Sequence, residues 1–251
     1  MGKMEGYKVL VTGSTSGIGL GITKMFMEEG ATVIGLGRDF HRTTELGDKY
    51  IPYKCDMYYP DQIKSAFEFA AEKFDGRLDV LVNAAGRGTY GNIENFDLDE
   101  WDENFHLIVR AYMLTTKYAI PLLRKSPVAN IVNIASASGH CNDAAQFMYS
   151  IGKSAVIKFT QITAKQNTWL RANSISPGIV DTPIFQWCTP EVKEMFDYEN
   201  HFKKFADILP CKRVGVPEDI ARIALLFASK DGEYINGTDI VVDGGITAWT
   251  T

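Results

Sequence analysis

The stretch Val9-Leu10-Val11-Thr12-Gly13-Ser14-Thr15-Ser16-Gly17-Ile18-Gly19 decides how this chain folds. Its apolar run reads as a strand. Three glycines follow, and an amphipathic pattern opens directly behind them. Gly13 permits a tight turn, while Gly17 and Gly19 remove side chains where backbone meets ligand and where helix packs on strand. The helix that starts here offers unbonded N–H groups and its positive dipole end, which suits a pyrophosphate. Many strand-to-helix turns carry glycine. The position after the first strand, opening an amphipathic helix, is what points to a nucleotide. Gly13, Ser14, Ser16, Gly17, Ile18 and Gly19 are its candidate contacts.

Outward from this turn, strand and helix alternate. Apolar, β-branched runs recur at Tyr7 to Thr12, Thr32 to Leu36, Asp79 to Asn83, Asn130 to Ala135, Ala172 to Ser176 and Thr238 to Val242. Between them, Ile18, Ile22, Met25 and Phe26 share one helical face, as do Ile63, Ala66, Phe67, Ala70 and Phe74, and again Ile220, Ile223, Ala224 and Phe227. Near-continuous apolar strands separated by such helices predict a parallel sheet covered on both faces. With right-handed crossovers this is an α/β, Rossmann-like, doubly wound fold of about seven strands in a single domain spanning 1–251. A helical flap over 182–216, broken by Pro183, Pro190 and Pro210, is inserted in it.

The second strand ends in Leu36-Gly37-Arg38-Asp39. Arg38 could pair with a 2′-phosphate through its planar fork. Alternatively Arg38 is solvated and Asp39 holds a free ribose 2′-hydroxyl. The first is favoured, so NADP(H) is preferred to NAD(H). Asp56, after the third strand with Met57 beside it, either accepts from an adenine amino group or is a turn aspartate.

Composition removes other classes. Lys plus Arg total 26 against 31 Asp plus Glu, a net charge of −5, which argues against a nucleic-acid partner. The first apolar run is too short for a secretory signal, and Gly6 stands where a myristoylation signal needs Ser or Thr. No apolar stretch has the roughly 18 residues of a spanning helix, so no membrane partner is expected. Cys55, Cys141, Cys188 and Cys211 are widely spread and read as reduced thiols of a cytoplasmic protein. His41, His106, His140 and His201 have no ligand spacing, so no metal is expected.

Tyr149 and Lys153 lie four residues apart, neighbours on one helical face. An ammonium near a phenol favours the phenolate and lowers a pKa that starts near about 10. Such a tyrosine can give and take a proton near neutral pH. Ser136 follows the strand ending at Ala135, at the carboxyl edge where parallel sheets bind ligands. Its hydroxyl could hydrogen-bond a substrate carbonyl. A Tyr–Lys pair alone is common on helices; joined to the glycine turn, the set becomes specific.

From Tyr7 to Gly245 the chain resembles the short-chain dehydrogenase/reductases. Thr12 to Gly19 is similar to the family's TGxxxGxG, and Asn83-Ala84-Ala85-Gly86 to its NNAG element. Ser136, Tyr149 and Lys153 stand at the catalytic serine and YxxxK positions. Ser176-Pro177-Gly178-Ile179-Val180-Asp181-Thr182 resembles the segment that contacts nicotinamide, and Val242-Asp243-Gly244-Gly245 the last strand and its turn. The resemblance implies coenzyme contacts at Asn83, Ala84, Gly86, Pro177, Gly178, Ile179 and Thr182. It implies an acid/base role for Tyr149. Lys153 would lower its pKa and hold the nicotinamide ribose, and Ser136 would orient the carbonyl. Ser16 replaces a second basic residue that many NADP-preferring members carry. One position departs: seven residues after Trp101, where the family has asparagine, stands Ile108. Asparagine there helps anchor a water that links the lysine to solvent, and isoleucine cannot hydrogen-bond. Asn104, one turn earlier and about 6 Å along the axis, could partly substitute. The Ser–Tyr–Lys chemistry is expected to survive with an altered proton path.

The flap carries Phe185, Trp187, Phe196, Tyr198, Phe202 and Phe205. These either cover a bulky, mostly apolar substrate or pack the flap onto the body. His140, Asn142 and Gln146 are pocket groups or polar loop residues, Arg87 meets a substrate carboxylate or solvent, and Trp249 covers the pocket or a subunit contact. Ser136, His140, Gln146, Tyr149 and Trp187 are the candidate substrate contacts. The expected reaction interconverts a secondary alcohol and a ketone, with a hydroxysteroid or bile acid as the favoured substrate. A 3-oxoacyl thioester reductase, a polyol or sugar-alcohol dehydrogenase, and a non-catalytic coenzyme-binding redox sensor are the alternatives. Family members are usually homodimers or homotetramers built on the helices over 101–123 and 145–165.

Overall fold

The computed structural model describes residues 2–141, 145–184 and 198–249. Asn142, Phe185, Trp187, Cys188 and Phe196 lie outside the described residues, as do the side chains of Tyr198, His201 and Trp249.

Seven parallel strands form one sheet in the order β3-β2-β1-β4-β5-β6-β7. They are β1 (Lys8–Thr12), β2 (Thr32–Gly37), β3 (Tyr50–Lys54), β4 (Val80–Asn83), β5 (Asn130–Ile134), β6 (Arg171–Pro177) and β7 (Asp239–Val242). Six of these match the apolar runs to within one residue at each end. The seventh, β3, is an edge strand with Pro52 inside it, paired with Gly35 of β2. Proline cannot donate to a ladder, so an edge is where such a strand belongs.

Helix α1 (Gly17–Glu28) follows β1, and α2 (Pro60–Lys73) follows β3. Helix α3 (Leu98–Phe105), a π-helical turn (His106–Arg110) and α4 (Ala111–Leu123) form one continuous rod after β4. Helices α5 (Phe147–Gln166), α6 (Tyr198–Ile208) and α7 (Pro217–Ala228) complete the set. Local chemistry marks their ends. Pro60 and Pro217 open α2 and α7, where no helical N–H is needed. The Asp97 carboxylate accepts the Glu100 N–H at the start of α3.

Strand alternation splits the core in two. Leu10, Leu81 and Ile131 face Ile63, Phe67 and Leu123 on one side. Val9, Val11, Val80, Val82 and Val132 face Ile22, Phe26 and Phe227 on the other. Each such side chain contributes about 1.5–3 kcal/mol by leaving water. Both layers are therefore filled by the same strands, which is why the strands read as unbroken apolar runs.

A polar ladder crosses the first layer. Asn83 Nδ2 donates to Asn133 Oδ1 at 2.9 Å, and Asn133 Nδ2 donates to Thr160 Oγ1 at 2.8 Å. Thr115 Oγ1 donates to Asn83 Oδ1 at 2.7 Å. All four residues are buried, and they tie β4 and β5 to α4 and α5. Asn133→Ala orphans groups on both neighbours, at about 1–3 kcal/mol each. A lowered urea midpoint is the expected result, and an unchanged midpoint would show that the ladder contributes nothing net.

Candidate active site

Strand order reverses at β1, between β2 and β4, so the crevice opens above the carboxyl end of β1. There the glycine turn folds as its sequence requires. Gly13 and Gly17 take positive φ angles of 66° and 51°. A Cβ on Gly19 would stand 2.2 Å from the Gly13 carbonyl oxygen, and one on Gly13 would stand 2.9 Å from Ala85 Cα. Ser16 is the N-cap of α1 but makes no side-chain cap, so the first-turn N–H groups remain available to a ligand.

A cavity of about 960 Å³ opens from this turn. Gly13, Ser16, Gly17, Ile18 and Gly19 form one wall, and Ala84 with Gly86 another. Pro177, Gly178, Ile179 and Thr182 close over it, and Ser136, Tyr149 and Lys153 line its inner side. The cavity also takes in His140, Gln146 and Phe205. A dinucleotide fits this shape: glycine backbone at one end for a pyrophosphate, and Ser136, Tyr149 and Lys153 beside the other.

Five expected coenzyme contacts stand elsewhere. Ser14 is turned inward; its N–H bonds the Leu36 carbonyl and its hydroxyl lies 2.9 Å from the Tyr50 hydroxyl. Asn83 belongs to the polar ladder. Met57 is packed in the core. Asp56 accepts the Tyr58 N–H at 3.0 Å, which is the geometry of a turn aspartate. Arg38 is exposed at the tip of β2, and Asp39 beside it accepts the His41 ring and backbone N–H.

Tyr149 and Lys153 project from successive turns of α5. The Lys153 ammonium donates to the Ile134 carbonyl at 2.7 Å and lies 5.6 Å from the Tyr149 ring centre. Ser136 Oγ accepts the Ser138 N–H at 3.1 Å, which leaves its own proton free to face the Tyr149 phenol and pull its pKa down. Burial pushes the Tyr149 phenol up to about 12, against the lowering pull of Ser136. The same burial brings the Lys153 ammonium down to about 7. The expected depression of the phenol by its neighbour is thus outweighed by the cost of burying a phenolate.

His140 is held from below: its Nε2 lies 2.7 Å from Asp239 Oδ2 and 3.3 Å from Ser176 Oγ. Arg87 pairs with Glu103 at 2.9 Å and with Glu100 at 4.0 Å. Ile108 is fully buried within the π-helical turn. Sequence reading passed over Tyr112, a fully buried phenol whose ring centre lies 5.5 Å from Lys153 Nζ. Its only signal was its place one turn after Ile108.

A family model described as enoyl-(acyl carrier protein) reductase matches residues 13–247. The chain belongs to the short-chain dehydrogenase/reductase family. It is an NAD(P)-dependent enzyme of that family, with the Rossmann-like sheet the family shares. It is 30% identical to the 3-oxoacyl-[acyl-carrier-protein] reductase FabG of Thermotoga maritima, over 97% of this chain and 99% of that one. It is 32% identical to the 7alpha-hydroxysteroid dehydrogenase of Bacteroides fragilis, over 98% and 96% of the two chains. The ligand-free structure of Thermoplasma acidophilum aldohexose dehydrogenase superimposes with a TM-score of 0.88 at 31% identity, over 98% of this chain and 95% of that one. Gly19 packs against the Gly13 carbonyl at the glycine-turn end of the crevice, so the contact should matter to coenzyme binding whatever the substrate. Gly19→Ala forces overpacking of about 1–3 kcal/mol, roughly a tenfold loss of affinity or more. Coenzyme fluorescence titration reads this directly, and an unchanged Kd would contradict the placement.

Proposed function

We propose that this enzyme interconverts a secondary alcohol and a ketone with NADP(H), and that Tyr149 is its general acid and base. The observation that carries the reading is the meeting of Ser136, Tyr149 and Lys153 on the wall of the cavity that the glycine turn opens. The coenzyme, when bound, supplies or accepts the hydride. In reduction, the Tyr149 hydroxyl passes its proton to the substrate oxygen. Lys153 stabilises the phenolate left behind, and Ser136 donates to the same oxygen as its charge develops. In oxidation each step runs backwards, and the phenolate takes the proton. Reduction therefore needs the protonated phenol and should fall as pH rises; oxidation should rise.

The exposed guanidinium of Arg38 supports NADP(H), because the tip of β2 is where an adenosine ribose reaches in such folds. The Asp39 carboxylate, engaged with His41, is less available to a free 2′-hydroxyl. Apolar walls at Tyr90, Ile184, Phe205 and Ile246 suit a bulky apolar substrate such as a hydroxysteroid or bile acid, with His140 at the polar end. The likeness to FabG supports a second reading, reduction of a 3-oxoacyl thioester. Trp187 remains a proposed substrate contact on the flap. Met113, Ile151 and Ile162 are exposed apolar residues on α4 and α5, and we propose that a second copy of the chain covers them in a homodimer or homotetramer. Among the described residues no helix is long and apolar enough to cross a membrane. Cys55 and Cys211 stand as thiols, which suits a reducing cytoplasm.

The test is turnover with NADPH and NADH across steroid, bile-acid, polyol and 3-oxoacyl substrates. Tyr149→Phe should lower kcat by about 10²–10⁴-fold, and retained activity would remove it from the acid/base role. Arg38→Leu should weaken NADPH about ten- to a hundredfold and leave NADH unaffected; equal losses for both would dissociate Arg38 from the 2′-phosphate.

A further inference from the structure

Lys153 is 3% exposed, and its ammonium donates to the Ile134 carbonyl. Among the described residues no carboxylate is ion-paired with it, and burial makes its charged form costly. A lysine that lost its proton would stabilise no phenolate. Something other than a counter-ion must therefore favour the charged form.

The two titratable groups that face the ammonium are phenols. The Tyr149 ring centre lies 5.6 Å from Nζ and the Tyr112 ring centre 5.5 Å. Both distances fall within the reach of a cation over an aromatic face, whose quadrupole is negative. Tyr112 is locked in place: its hydroxyl lies 3.0 Å from the Ala85 carbonyl and 3.2 Å from that of Ile134, which also receives Lys153. Burial pushes the Tyr112 phenol upward, so it stays neutral and brings no competing charge. Ile108, Ala135, Val156 and Ile157 pack around the two rings as hydrocarbon. The polar alternative makes no hydrogen bond to the lysine, since the Asn104 amide oxygen is buried without a partner among the described residues. Asn104 donates to Thr89 Oγ1 at 2.7 Å, and its amide oxygen faces Gly152, 3.3 Å from where a Cβ would be.

We propose that Tyr112 is a positioning residue whose ring face, together with that of Tyr149, holds the Lys153 ammonium charged where Ile108 has replaced a hydrogen-bonding side chain. It acts through Lys153 on Tyr149 and touches no reacting atom. The inference rests on Tyr149 being the acid/base group. Weakening the Tyr112 ring as a cation acceptor should let the lysine lose its proton more easily. The phenolate then loses support, and its pKa rises.

The test follows the Tyr149 phenolate by ultraviolet absorbance during a pH titration with oxidised coenzyme bound. Subtracting the spectrum of Tyr149→Phe isolates this one tyrosine. Tyr112→Phe keeps the ring and should leave the midpoint in place. Fluorinated phenylalanines at position 112 keep nearly the same shape and drain the ring face. They should raise the midpoint stepwise, by about one pH unit at full fluorination. A phenolate band whose midpoint is flat across the fluorinated series overturns the role of Tyr112 and leaves Tyr149 standing. A midpoint moved as far by Tyr112→Phe alone also overturns it, since the hydroxyl would then be the cause. Absence of any phenolate band in the difference spectrum removes both Tyr149 and the inference built on it.

Discussion

The hydroxyl of Thr12 accepts the backbone N–H groups of both Ala84 and Ala85, at 3.0 and 3.1 Å. This contact joins the turn after β1 to the turn after β4, on the two sides of the point where strand order reverses. A parallel sheet leaves a crevice there because the chain departs in opposite directions. The crevice is useful only if its two lips keep a fixed spacing. Thr12 fixes it from beneath, and Gly13 allows the lips to approach until a single added carbon would collide with Ala85. Everything placed at the carboxyl edge inherits that spacing, including Ser136 beyond β5 and the Pro177–Gly178 turn beyond β6.

The second constraint is a buried cation. Lys153 must carry charge to support a phenolate, yet it sits where charge is costly. Around its ammonium stand dipoles and ring faces: one carbonyl from β5 and two phenols from α4 and α5. The polar ladder of Asn83, Asn133, Thr115 and Thr160 holds those same helices against the strands. Rigidity in the layer behind the site thus keeps a soft, distance-dependent interaction within range.

Much of this was legible in the sequence, because it depends on patterns that run along the chain. The apolar runs marked six strands, and the edge strand with Pro52 was the one they did not mark. The glycine spacing located the turn that opens the cavity, and the tyrosine–lysine spacing put both side chains on its wall. What escaped depends on which way a single side chain points. Ser14 sits inside the glycine motif but turns toward Tyr50, and Asn83 sits inside the family's motif but turns into the ladder. Asp56 caps its own turn. The spacing to Lys153 predicts a Tyr149 phenol that ionises more easily; burial, which no local spacing reveals, pushes it the other way. Tyr112 carries no motif at all. Its importance appears only when α4 is laid against α5 across the lysine.

Isotope transfer tests the central claim most directly. Coenzyme deuterated at both positions of nicotinamide C4 is incubated with the protein and the ketone panel, and the products are examined by mass and NMR. The account predicts one deuterium on the carbinol carbon of the alcohol formed, with one equivalent of coenzyme consumed for each. Coenzyme that binds tightly while no ketone gains deuterium would contradict it, and would leave a nucleotide-binding protein without this chemistry.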